Sequence, residues 1–95
     1  MTIRVEILGV PMLTEALGEK RLELDVRGSR VGDLLDALIK RGGDPVKRAL
    51  FAEDGTFDHS IQIAVNGEKF VSVDEEGLEL RDGDTVTFMM LIGGG

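Results

Sequence analysis

The chain has 95 residues, with 18 acidic against 11 basic side chains and a formal charge of −7. That balance speaks against nucleic acid, whose binders need Lys and Arg to displace phosphate counterions; the acidity suits solubility or a partner with a basic docking face. With no Cys, Trp or Tyr and four Phe, the sequence excludes disulfides, thiolate nucleophiles and Cys-ligated metal, and its one domain must close on an aliphatic core.

The opening stretch IRVEIL, residues 3 to 8, puts Ile3, Val5 and Ile7 on one face and Arg4 and Glu6 on the other, which is strand periodicity. Its alternation from "MTIRVEILGV" onward is not that of a signal peptide. Gly9 and Pro11 end the strand and open a loop with Gly18 near its far end. KRLELDV, residues 20 to 26, alternates again, with Leu22, Leu24 and Val26 inward, so the first two strands form an antiparallel pair.

The period then changes. Val31, Leu34, Leu35 and Leu38 fall at i, i+3, i+4 and i+7, one face of a helix, with Ser29 as the expected N-cap and Gly42-Gly43 as the stop. Asp44-Pro45 reads as a cap and first position of a second, shorter helix through about Phe51. EDGTFD, residues 53 to 58, is loop chemistry. Ile61, Ile63 and Val65 alternate into Asn66-Gly67, a hairpin signal because both positions tolerate positive φ. Lys69 to Val73 is the return strand. Asp82-Gly83 turns the chain into a last strand over residues 85 to 90, with Val86, Phe88 and Met90 on one face.

These elements predict an α+β domain spanning residues 1–92: a mixed sheet of about five strands wrapped on one main helix in the β-grasp, ubiquitin-like manner, followed by a glycine tail at 93–95. No segment approaches the ~18 consecutive apolar residues of a membrane span, and the expected location is the cytoplasm.

A search for side-chain chemistry returns little. His59 is the sole histidine and sits in a loop beside Asp58 and Ser60, and neighbours in sequence rarely converge as a triad. No metal site is expected, since DGTFDHS lacks the ligand pattern of a calcium loop. RGGDP and EDGT do not stand between a strand and a helix as a phosphate-cradling loop would. A reactive group, if present, lies in the main chain.

The sequence ends FMMLIGGG. Without a Cβ, Gly93, Gly94 and Gly95 make a stalk narrow enough to enter another protein's active site, with the Gly95 α-carboxylate at its tip. Extended, residues 91 to 95 reach roughly 17 Å at about 3.4 Å per residue. A carboxylate so delivered can attack the α-phosphate of a nucleotide in a partner enzyme. With Val86, Phe88 and Met90 on the core face, Met89, Leu91 and Ile92 exceed what one strand face can bury, and the excess predicts a partner surface of Phe88, Met89, Leu91 and Ile92 beside the stalk.

Taken together, "IRVEILG", "VGDLLDALIKR", "IAVNGEKF", "LRDGDTVTF" and the terminal Gly-Gly resemble, end to end, the MoaD/ThiS family of ubiquitin-like sulfur carriers. The resemblance implies that Gly95 is adenylated by an ATP-using, MoeB/ThiF-like activating enzyme and converted to a thiocarboxylate. The sulfur then passes to a synthase subunit (MoaE-like or other), and the carrier holds no stable cofactor and is not itself an enzyme. Chain length leans toward the small subunit of molybdopterin synthase. A carrier for thiamine thiazole or cysteine-type synthesis, a ubiquitin-like modifier forming isopeptide bonds, and a binding module with an incidental tail remain open. Two departures from the family pattern stand out: MMLI where prolines are common, and three glycines where two are usual.

Overall fold

The computed structural model describes residues 1–75 and 78–90. In chain order these form β1 (Thr2–Leu8), α1 (Pro11–Leu17), β2 (Arg21–Asp25), α2 (Val31–Gly42), α3 (Asp44–Leu50), β3 (Ile61–Val65), β4 (Lys69–Val71) and β5 (Thr85–Met90). The strands make one sheet in the order β2-β1-β5-β3-β4. β1 runs antiparallel to β2 and parallel to β5, and β3 is antiparallel to both β5 and β4. The mixed five-stranded sheet with its helices packed on one face is the β-grasp arrangement expected from the sequence.

Alternation decides which face is covered. Ile3, Val5 and Ile7 of β1, Leu22 and Leu24 of β2, Ile61 and Ile63 of β3 and Val86 and Phe88 of β5 are buried in one core cluster. α2 supplies the other half. Its Val31, Leu34, Leu35 and Leu38 are buried in that cluster, while Asp36 and Lys40 stay exposed. Leu34 and Leu38 are fully buried, and each contributes on the order of 2 kcal/mol by leaving water.

Helix ends differ from the sequence reading in detail. The N-cap of α2 is Arg30, not Ser29: the Asp33 carboxylate accepts the Arg30 N–H at 3.0 Å, satisfying the entry to the helix from within its first turn. The Ser29 carbonyl is committed elsewhere, accepting the Leu80 N–H at 2.6 Å. α3 begins at Asp44 with Gly43 as its N-cap. Gly43 is also the C-cap of α2, so one residue with φ 74° joins the two helices. A side chain at that φ would be strained.

Three further segments depart from expectation. Residues 11–17, read as loop, form α1: Pro11 opens it, Leu13 is buried and Gly18 caps it by donating to the Thr14 carbonyl at 2.8 Å. The return strand stops at Val71 instead of Val73. Phe57, read as loop, is buried, with its ring edge-on to Phe51 at 5.9 Å. Around it, Asp54 accepts from the Thr56 hydroxyl and N–H, and Asp58 accepts from the Ser60 hydroxyl and N–H. These hydrogen bonds hold both carboxyls below the usual aspartate range, the side-chain bond first in each case.

Two outcomes follow from this packing. A Cβ at Gly42 would collide with Cγ2 of the buried Val46 and sit 3.2 Å from the Ala16 carbonyl oxygen. Gly42→Ala is therefore expected to destabilise the fold by about 1–3 kcal/mol in urea titration, despite alanine's better helix propensity. Lowered carboxyls contribute stability that is present above the ordinary aspartate value and lost as pH falls through the folded one. Ser60→Ala is expected to raise the Asp58 titration midpoint, followed by carboxyl carbon NMR, and to reduce the acid-side loss of stability.

Candidate functional site: the end of the central strand and the open sheet face

Among the described residues β5 is the last strand in sequence and the middle strand in space. Being parallel to β1, it ends where β1 ends: Met89 lies beside Leu8, and Met90 lies opposite Ile61, the first residue of β3. Met90, the end of β5, thus stands between two flanking strands, beside the turn into α1. Gly9 forms the wall there, and a Cβ on it would stand 3.9 Å from the Met90 carbonyl oxygen.

The start of β5 is held as firmly. The Asn66 amide oxygen accepts the Thr85 N–H at 2.8 Å, its Nδ2 donates to Asp84 Oδ1 at 3.1 Å, and its own N–H donates to the Thr85 carbonyl at 2.7 Å. Asp84 Oδ2 accepts the Arg81 N–H at 2.8 Å. On the other side, Asp82 Oδ1 accepts the Thr2 N–H at 2.6 Å, and the Arg4 N–H donates to the Asp84 carbonyl at 2.9 Å. The VNGE and RDGD stretches are therefore a clamp that sets the register of β5, and with it the position of Met90. Asn66 has φ 54°, the conformation asparagine tolerates best after glycine.

Side-chain parity on β5 sorts the predicted docking residues. Val86 and Phe88 are fully buried under the helices. This corrects the expectation that Phe88 meets a partner: its ring holds the strand down. Met89, of opposite parity, is half-buried on the open face. It stands between Leu8 and Gln62, while Thr87 stands between Glu6 and Ala64, and Ala64 pairs with Phe70. Leu8 is 53% and Phe70 62% exposed. The open face is thus an apolar strip of Leu8, Met89 and Phe70, with the small Ala64 and Thr87 leaving it low in the middle. Leu91, Ile92, Gly93, Gly94 and Gly95, with the boundary at 92/93, lie outside the described residues.

Leu8 and Phe70 were missed from sequence. The signal available was parity: Thr2, Arg4 and Glu6 are polar on the outward positions of β1, and Leu8 breaks the series. Among the described residues no group of three or more His, Cys, Asp or Glu could hold a metal, His59 is exposed, and no helix is long and apolar enough to cross a membrane.

The sheet order, with β5 central and parallel to β1, defines a ubiquitin-like domain. Residues 11–95 match the ThiS family, and the chain belongs to that family, whose members are small ubiquitin-like carriers and modifiers. Ubiquitin-related modifier 1 of Schizosaccharomyces pombe is 31% identical over 97 residues, covering all of both chains. SAMP1 from Haloferax volcanii superposes with a TM-score of 0.79 at 25% identity, also over all of both chains. A putative molybdopterin converting factor, subunit 1, from Pyrococcus furiosus has a TM-score of 0.68 at 30% identity, covering 95% of this chain and 97% of that one.

The clamp yields a graded prediction. Asn66→Gly keeps the backbone conformation and loses the two side-chain hydrogen bonds, at about 1 kcal/mol. Asn66→Ala adds left-handed strain and should cost about 2–3 kcal/mol. Urea midpoints of the two variants measure the difference.

Proposed function

We propose that the chain is a sulfur carrier acting in the cytoplasm, with Gly95 as its reactive residue and 93–95 as the stalk. The observation that carries this reading is a sequence that ends in glycine a few residues beyond a rigid central strand, within a family match that runs to residue 95. In the first step an oxygen of the Gly95 carboxylate attacks the α-phosphorus of ATP in an activating enzyme, and pyrophosphate leaves. In the second, a hydrosulfide-level sulfur attacks the glycyl carbonyl; the acyl–phosphate bond breaks, AMP departs with the bonding pair, and a thiocarboxylate remains. In this reading no side chain among the described residues acts as acid, base or metal ligand in either step. It supplies a carboxylate, a narrow approach and a surface by which the partner is aligned.

The Leu8–Met89–Phe70 strip suits that alignment, since an apolar patch beside a functional terminus is a docking surface and methionine adapts to successive partners. Leu91 and Ile92 would extend it. The preferred acceptor is the large subunit of a molybdopterin-synthase-type enzyme, in keeping with the Pyrococcus furiosus likeness. Carriage to a thiazole or cysteine-type synthase uses the same first two steps.

A second reading is favoured by the whole-length likeness to ubiquitin-related modifier 1. There the glycyl-adenylate is attacked by a lysine amine, giving an isopeptide bond and AMP.

Intact mass of the chain purified from its native cells distinguishes these. A thiocarboxylate shows as one oxygen replaced by sulfur and is lost when Gly94-Gly95 is deleted; lysine adducts carrying this chain support the modifier. Unmodified chain under sulfur-cofactor demand, with no adducts, would sink both.

A further inference from the structure

The sheet ends on one side at β2, which has β1 as its one neighbour among the described residues. Its backbone groups divide between two sides. The Ile7 N–H donates to the Lys20 carbonyl, and Met1 and Val26 exchange hydrogen bonds at 3.0 and 2.7 Å, so the even-numbered residues from 20 to 26 face β1. Arg21, Glu23 and Asp25 therefore aim their N–H and C=O groups away from the sheet. Their side chains alternate with the buried Leu22 and Leu24 and stand on the open face. Little crowds them: the side chain of Glu23 is 65% exposed, and that of Asp25 is 92% exposed although the Met1 ammonium lies 3.7 Å away.

Charged side chains on an edge strand usually keep other strands away. Here the signs fit a second copy. Paired antiparallel about its own Glu23, β2 sets Arg21 opposite Asp25 of the copy, and Asp25 opposite Arg21 of the copy. Glu23 meets its counterpart, but each carries Arg4 of its own chain at 3.6 Å, so the centre is a quartet of two acids and two bases. All three pairs join residues whose backbone faces outward, so each pair exchanges two hydrogen bonds. Just beyond the strand, Glu19 falls opposite Arg27. Sliding the copy by two residues, with Arg21 opposite Glu23, keeps two of the three backbone pairs and sets Asp25 against Glu19. The other edge offers no such match: β4 spans three residues, with Lys69 its one charge.

We infer that β2 is a self-recognition edge, at which two copies of the chain join antiparallel into one continuous sheet with five strands from each. The two-fold axis passes through the sheet beside Glu23, so both open faces look the same way. The two β5 strands are then five strand spacings apart, roughly 24 Å at about 4.8 Å each. The Leu8–Met89–Phe70 strip lies on β1, β5 and β4, inboard of the contact, so both copies of it stay accessible. A net charge of −7 on each copy opposes association. At physiological ionic strength that repulsion is screened beyond about 8 Å, whereas the ion pairs at β2 act at contact. The contact does not depend on what Gly95 does.

Sedimentation velocity and amide hydrogen exchange of the full chain test this at physiological ionic strength. The wild type is expected to dimerise as its concentration rises to the millimolar range of NMR, with exchange slowing at the Arg21, Glu23 and Asp25 amides. A chain that stays monomeric, or a dimer that leaves those amides unprotected, would overturn the proposal. Charge reversal tests the register. Arg21→Glu sets acid against acid at both outer pairs, and Asp25→Arg sets base against base. Each is expected to weaken the dimer roughly ten- to a hundred-fold, the swing for two cross-strand pairs turned from attraction to repulsion. Mixed together, the two variants regain both opposite-charge pairs and should form a heterodimer about as tight as the wild-type dimer. Both positions are exposed, and cooperative urea unfolding checks that each variant is folded. Variants that dimerise undiminished alone, or that fail to pair when mixed, would rule the contact out.

Discussion

The arrangement depends on the last strand being the central one. β5 must form hydrogen bonds on both edges, to β1 and to β3, before the sheet closes, so the residues that will present the terminus are ordered by the whole fold. The Asn66–Asp84–Thr85 clamp fixes its beginning, and burial of Val86 and Phe88 in the core fixes which of its faces turns inward. A slip of one residue would turn Phe88 out to solvent and Met89 into the core. The position of Met90, the end of β5, is therefore specified by the burial of Val86 and Phe88 earlier in the same strand.

Much of this was legible in sequence, and the exceptions have physical causes. α2 declared itself because four apolar residues at helical spacing are bounded by Gly42-Gly43. β1, β2, β3 and β5 declared themselves by alternation. α1 did not, because its seven residues bury Leu13 alone, and Gly9, Pro11 and Gly18 around it are as natural in a loop; its stability comes from packing against α3. Phe57 was hidden for a similar reason, surrounded by Asp, Gly and Thr in a stretch whose turns exist to fold it inward. The terminal glycines were visible as a candidate site, whereas the open-face strip was not. Leu8, Met89 and Phe70 come from three strands and share one sheet face through registers that no local pattern encodes.

The stretches that most clearly mark the family, VNGE and RDGD, turn out to be scaffolding. The side chains of Asn66, Asp82 and Asp84 are spent on backbone N–H groups and, for Asn66 and Asp84, on each other. That division suits a protein whose proposed chemistry is confined to a main-chain carboxylate. The side chains are left to solve folding and docking, and none of them needs a perturbed pKa or a convergent geometry for catalysis.

The parallel neighbourhood of β1 and β5 also has a mechanical meaning. Tension applied to the tail acts along the axis of β5, so the ladders to β1 and β3 are loaded in shear and their bonds share the force, instead of opening one at a time as in a peeled edge strand. A pull on the end of β5 is therefore borne by both ladders at once. A handle attached to either outer strand, β2 or β4, would lack that resistance.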